Sequence, residues 1–276
     1  MKFSSKGVPM RPIRIGVQME PQHTTYASFE RAVREVEALG VDSMWTWDHF
    51  YPPYEAVIPP KGRPGSTHGN HFEAWTLLTA MATLTQRVVI GHLVTCNSYR
   101  NPSLLSNMAK TVDHISHGRL ILGLGSGWRE VEYQIFGYPF GSAVDRLRAL
   151  EQAIPLIKQR WSIDLPLPVR NPIPILIGGD GEKVTLRLVA QYADLWNSLA
   201  SVSEFKHKNE VLIQWCQKIG RDPDTIERTV TIGHTMDIRT CDDFVSLGVQ
   251  HLIIDLGEPW NLNQVEKLVR WRNDNR

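Results

Sequence analysis

Asp48 and His49 stand side by side in WTWDHF, at the end of a short apolar run, and are the pair best suited to acid–base chemistry. An imidazole titrates near neutrality, and a neighbouring carboxylate can orient it. Adjacent strand residues point to opposite faces, so one of the two can face a site while the other serves structure. Further along, ILGLGSGWREVE sets Gly123, Gly125 and Gly127 at alternate positions. A dinucleotide fingerprint needs its last glycine where Trp128 stands, so that reading fails. Glycines at a strand end either clear side chains from a mouth where a flat ligand meets backbone, or make room for neighbouring bulk. In IGGDGEKVTLRLV, the residues Gly178, Gly179, Asp180 and Gly181 precede a helical period. Free backbone N–H groups and a helix dipole there suit a phosphate; the plain alternative is a tight turn in which Asp180 or Gly181 starts the helix.

His23, His49, His68 and His71 raise the question of a metal site. An HxH pair at the end of the first strand is missing, as are matching acids or a lysine on later strands, so no metal is expected. Cys96, Cys216 and Cys241 lie far apart with no CxxC pair, which argues against a disulfide framework or a cysteine zinc site.

The elements that must position these groups follow from the apolar periodicity. Strands are predicted over 13–19, 43–48, 88–96, 119–127, 173–179, 194–200, 228–234 and 251–257. Between them come helical periods over 29–40, 73–85, from Pro102 onward, 143–161, 182–193, 204–220 and 240–248, and NQVEKLVRWRND closes the chain as a last helix. This alternation fits a (β/α)8 TIM barrel better than a doubly wound sheet. One domain spanning 1–276 is the simplest account, with 1–11 as a short extended or disordered tail. A barrel gathers its chemistry on the loops after the strands, which here offer Gln18, Glu20, Trp47, Asp48, His49, Thr95, Cys96, Asn97, Ser126, Trp128, Asn197, His234 and Asp255.

The 276 residues are 42% hydrophobic and 21% charged, ample for a packed core, and 30 basic against 29 acidic residues leave no electrostatic footprint for nucleic acid or an anionic membrane. MKFSSKGVPMRP is too polar for a signal peptide, and no apolar run reaches membrane-spanning length. The expectation is a cytoplasmic protein acting on a small molecule.

WTWDHF, GHLVTCNSYRNPSLLSNMAKTVDHISHGRLILGLGSGW and ILIGGDGEKVTLRLVAQYADLWN together resemble the luciferase-like monooxygenase superfamily, in particular its deazaflavin (coenzyme F420)-dependent oxidoreductase branch. The resemblance covers nearly the whole chain and is most specific through residue 200. It implies a barrel holding a deazaflavin or flavin ring at its C-terminal mouth, with a non-proline cis peptide at Leu93–Val94 forming a bulge behind the ring. It implies that Asp48 and Thr95 contact the ring or ribityl chain, that Ser126 and Gly127 lie near them, and that Gly178, Gly179, Asp180 and Gly181 serve the phosphate. His49 matches the base of the branch's sugar-phosphate dehydrogenases, whereas Trp128 stands where their acidic glutamate would be, which turns the expectation toward hydride transfer in the reducing direction. The cofactor is then F420, with FMN and a separate flavin reductase as the alternative, and a flavin-binding protein without turnover as a third reading. A homodimer is also implied. The brief segment WSIDLPLPVRNP before the fifth strand, and the short region before the eighth, would remodel the substrate mouth.

Overall fold

A computed structural model describes residues 12–53, 69–233 and 237–275. The tail 1–11, His68 and His234 lie outside these residues. In chain order the elements are β1 (Arg14–Met19), α1 (Tyr26–Ala38), β2 (Ser43–Thr46), α2 (Ala74–Leu84), β3 (Val89–His92), β4 (Thr95–Cys96), α3 (Pro102–Ile115), β5 (Leu120–Gly125) and α4 (Glu130–Phe136). They continue with α5 (Ala143–Ile163), β6 (Ile175–Gly178), α6 (Thr185–Tyr192), β7 (Leu195–Ser198), α7 (Val202–Lys218), β8 (Glu227–Ile232), α8 (Ile238–Ser246), β9 (His251–Leu256) and α9 (Asn263–Asp274).

Every strand pairing in the sheet is parallel, and the sheet closes on itself: β1 pairs with both β2 and β9, while β5 pairs with β3, β4 and β6. Because β3 and β4 share one place, nine strands fill eight barrel positions, giving the (β/α)8 barrel expected from the alternation. No helix among the described residues is long and apolar enough to cross a membrane.

The helices start where caps dictate. Thr25 accepts from the N–H of Ser28, so α1 begins ahead of its apolar stripe and buries Phe29, Ala32, Val33 and Val36 at helical spacing. Capping boxes at Ser142/Asp145 and Ser201/Glu204 fix the starts of α5 and α7. The helix expected from 182 begins only at Thr185, so the glycine turn 178–181 does not lead straight into α6. Inside the barrel, Trp45, Ile121, Leu176, Leu195 and Ile253 form one apolar layer, with Leu93 and Val94 packed on it from above.

The third barrel position is interrupted at Leu93–Val94, where the peptide is cis, at the place the resemblance implied. The neighbouring strands are hollowed to receive this bulge. A Cβ at Gly123 would run into the carbonyl oxygen of His92, one at Gly125 into Cγ2 of Val94, and one at Gly178 would stand 2.8 Å from Cγ1 of Val94. Of the two readings left open for the glycine string, making room for bulk therefore accounts for Gly123 and Gly125. Gly127 has φ +80°, and its missing Cβ leaves space for the Tyr133 hydroxyl and the Cys96 sulfur. Gly123→Ala is expected to cost about 1–3 kcal/mol, as overpacking against a backbone that cannot yield, and urea unfolding will read it.

Candidate active site

The strand after α1 ends at Thr46, so the strict alternation of side chains ends there too, and Trp47, Asp48 and His49 all reach one pocket at the C-terminal mouth. The pocket measures about 260 Å3.

Asp48 and His49 then part company. Asp48 is buried, and Arg100 grips both of its oxygens, with Nη1 at 2.6 Å and Nη2 at 3.1 Å, while the N–H of Cys96 donates to Oδ2 at 3.0 Å. Arg100 also reaches Glu73 at 2.7 Å. The carboxylate thus ties the end of β2 to β4, and its acceptor capacity is largely committed. His49 finds a different carboxylate. Its Nδ1 lies 2.7 Å from Oε2 of Glu132, a residue of α4 whose side chain is 0% exposed.

Glu132 is a convergence point. Its Oε1 accepts from the N–H groups of Phe50 and Tyr51 at 2.8 and 3.1 Å and from Arg129 at 3.0 Å, and its Oε2 accepts from the Tyr99 hydroxyl at 2.9 Å. Burial pushes its pKa up, but the hydrogen bond and charge of His49, with the Phe50 N–H and the Tyr99 hydroxyl, overcome this and hold it at about 2. An ionised carboxylate only accepts, so Nδ1 of His49 is the donor and Nε2 is left for the pocket. Arg129 also donates to the carbonyls of Tyr51 and Pro52, clamping the strand-two loop to α4.

Neither Glu132 nor α4 was found from the sequence. Trp128, at the position matched to the acid, is 59% exposed and packs edge-on to His49 at 5.6 Å, and the buried acid comes four residues later. The available signal was the run EVEYQIF closed by Gly137, a helix of two turns with an acid in its first turn.

Leu93 and Val94, with Gly125, Ser126, Gly127, Gly178 and Gly179, line the pocket beside His49 and Asp48. Three of the expected cofactor residues do not line it. Thr95 is fully buried, its hydroxyl 3.1 Å from Nδ1 of His92. Asp180 accepts from the N–H of Leu199 at 3.3 Å, and Gly181 packs close to Thr185. The opposite rim is polar: Gln18, Asn197, Thr231 and Asp255. Cys96 is a thiol, its pKa pushed up to about 11 by burial.

Burial, then the charge of His49, pulls the pKa of His71 down to about 4, and its Nε2 lies 3.3 Å from the indole N–H of Trp47, which donates to it. Among the described residues no group of three or more His, Cys, Asp or Glu is placed to hold a metal ion.

A parallel barrel whose mouth joins a glycine-lined bulge to an imidazole locked on a buried carboxylate has the makings of a TIM-barrel enzyme. The profile of the luciferase-like monooxygenases matches residues 10–237, and the chain belongs to that family of oxidoreductases. It is 35% identical over 136 residues to an F420-dependent glucose-6-phosphate dehydrogenase of Amycolatopsis mediterranei, covering 49% of this chain and 37% of that one. It is 27% identical over 267 residues to a phthiodiolone/phenolphthiodiolone dimycocerosates ketoreductase of Mycobacterium tuberculosis, covering 83% of this chain and 67% of the relative. In fold it is similar to a solved F420-dependent secondary alcohol dehydrogenase in complex with an F420-acetone adduct, with a TM-score of 0.79, 16% identity, and 94% and 98% of the two chains covered.

Proposed function

We propose that the protein is a coenzyme F420-dependent oxidoreductase that reduces a small organic substrate, with His49 handling the proton. The observation that carries this reading is that His49, its Nδ1 held by Glu132, lines the same pocket as the Leu93–Val94 bulge. The residues present fit a flat ring: Leu93 and Val94, seated on the glycines of the neighbouring strands, supply an apolar backing, and Ser126, Gly127, Gly178 and Gly179 line the pocket beside them. The relatives that act with F420 support the same cofactor.

When bound, the deazaflavin supplies hydride chemistry and little reactivity toward oxygen. The chain's own residues do the rest. Leu93, Val94, Ser126, Gly127, Gly178 and Gly179 would hold the ring and chain, and the turn through Asp180 and Gly181 would carry the phosphate just outside the pocket. Trp47 and Trp128 flank His49, at 6.5 and 5.6 Å between ring centroids, and limit water around it. Glu132 keeps the Nδ1 proton in place, so proton exchange with a substrate runs through Nε2.

Parallel fluorescence titrations with coenzyme F420 and FMN test the reading. Micromolar binding of F420 with at least tenfold weaker FMN is the expected result. Preference for FMN overturns it and points to an FMN-dependent monooxygenase served by a separate reductase, to be followed by oxygen uptake.

A further inference from the structure

Asp255 is the penultimate residue of β9, in register with Gln18 of β1. It lies two residues beyond Ile253 of the inner apolar layer, so its side chain also points into the barrel, one layer nearer the mouth, where it lines the pocket. Its Oδ1 is enclosed and has no hydrogen-bond partner among the described residues. The neighbouring rim groups are engaged with one another: Asn197 accepts from Thr229 at 2.7 Å and donates to Thr231 at 3.1 Å, and Gln18 donates to the carbonyl of Leu93 at 3.4 Å. Among the described residues, β8 offers Asp255 the uncharged Thr231, β1 offers Gln18, and the segment after β1 offers Glu20, which carries the same charge; His49 shares the pocket.

Among the described residues no cation is paired with a carboxylate there, which would be desolvated, and a neutral carboxyl avoids that cost. Burial, then the charge of Glu20, pushes Asp255 up to about 7. A protonated carboxyl is a hydrogen-bond donor, and it joins the amide N–H groups of Gln18 and Asn197 on this rim.

We propose that Asp255 is a substrate-binding residue: held as a neutral carboxyl, it donates a hydrogen bond to a carbonyl oxygen of the substrate, and once ionised it loses that donor and repels anionic groups. This deepens the oxidoreductase reading above and rests on it for the substrate class, which becomes carbonyl compounds. It also sets a pH window. The folded carboxyl titrates above its unfolded value of about 3.8, so the unfolded chain ionises first and stability falls as pH rises from about 4 to about 7, remaining reduced above it.

Asp255→Asn keeps the shape and a donor but cannot ionise. Its melting temperature is expected to exceed that of the wild type at pH 8 and to match it near pH 4; parallel profiles across that range overturn the neutral state. The second arm measures binding of cyclohexanone and cyclohexanecarboxylate by ligand-observed NMR, without cofactor and with F420. Wild-type cyclohexanone affinity is expected to fall at least tenfold from pH 6 to pH 8.5, Asp255→Asn to stay flat, and the carboxylate to lose affinity more steeply than the ketone in the wild type over the same range. A flat wild-type profile, an unchanged profile in the variant, or a carboxylate profile no steeper than the ketone's overturns the proposal. A pH dependence that appears in F420 affinity and not in ketone affinity assigns the carbonyl to the cofactor and overturns the substrate role. Because the melting profiles need no ligand, failure to bind F420 sinks the oxidoreductase reading while leaving the state of Asp255 separately decided.

Discussion

Glu132→Gln is expected to lower turnover by about 10²–10⁴-fold while the protein stays folded at 25 °C. The carboxylate accepts from His49, Tyr99, Arg129 and two backbone N–H groups. A glutamine can still accept through its oxygen from Phe50 and Tyr51, but its amide N–H2 then faces Nδ1 of His49 and the Tyr99 hydroxyl. His49 must rotate, or carry its proton on Nε2; the first takes that nitrogen from its place, and the second leaves it unable to accept a proton, with no carboxylate to stabilise the imidazolium. His49→Ala should lose a similar factor, and the double variant little more, since the two residues act as one unit. The check is kcat and kcat/KM for all three variants on the best substrate found, and a Glu132→Gln enzyme within threefold of wild type would falsify the assigned role. Stability carries a matching signature. Glu132 titrates in the folded state at about 2, below its ordinary 4.5, so its contribution is complete above about pH 4.5 and lost as pH falls toward 2. The gap between wild type and variant in unfolding free energy should close over that range.

The second large effect is expected at Arg100, and it is one of folding. Arg100→Ala leaves Asp48, whose side chain is 1% exposed, as a buried carboxylate with a single backbone donor. Stranding one partner of such a pair costs about 3–5 kcal/mol, or roughly 10 °C in melting temperature for a chain of this size. Arg100→Lys should recover only part of this, because an ammonium cannot reproduce the two-pronged grip. Thermal and urea unfolding of both variants decide it; a loss under 1 kcal/mol for alanine would show that water or another cation replaces the guanidinium. Part of the loss should also appear as weaker cofactor binding, since the pair anchors the start of the loop that carries His49.

The barrel was legible because its signals are local. Strand runs and helical periods alternate with caps and glycines close in sequence, and each predicted strand overlaps an observed one. The run VVIGHLVTC reads as one strand, and its division into β3 and β4 at Leu93–Val94 came from resemblance, since nothing in its own apolar pattern marks a break. The site was only half legible. His49 could be named for its chemistry, but its partner lies 83 residues away, and the cation that occupies Asp48 lies 52 residues away. Such pairings depend on which loops the closed barrel brings together. Alternation along a strand predicted that Asp48 and His49 would diverge; both reach the pocket because β2 stops at Thr46, while their roles separate through their partners. The glycine string was visible as a pattern, but the carbonyl of His92 and the methyl groups of Val94 that require it belong to the neighbouring position of the ring.

That fitted arrangement bears on how the sequence can change through descent. Val94 is a key cut to a lock whose wards are the missing side chains at 125 and 178, with 123 bare beneath the adjoining His92 carbonyl. No one of these positions can gain bulk unless another gives it up, so they are expected to drift as a block, with any homologue larger at 125 or 178 being smaller at 94. The loops that meet the substrate carry no such mutual debt. Divergence can therefore reshape what enters the mouth while leaving the seat beneath it untouched.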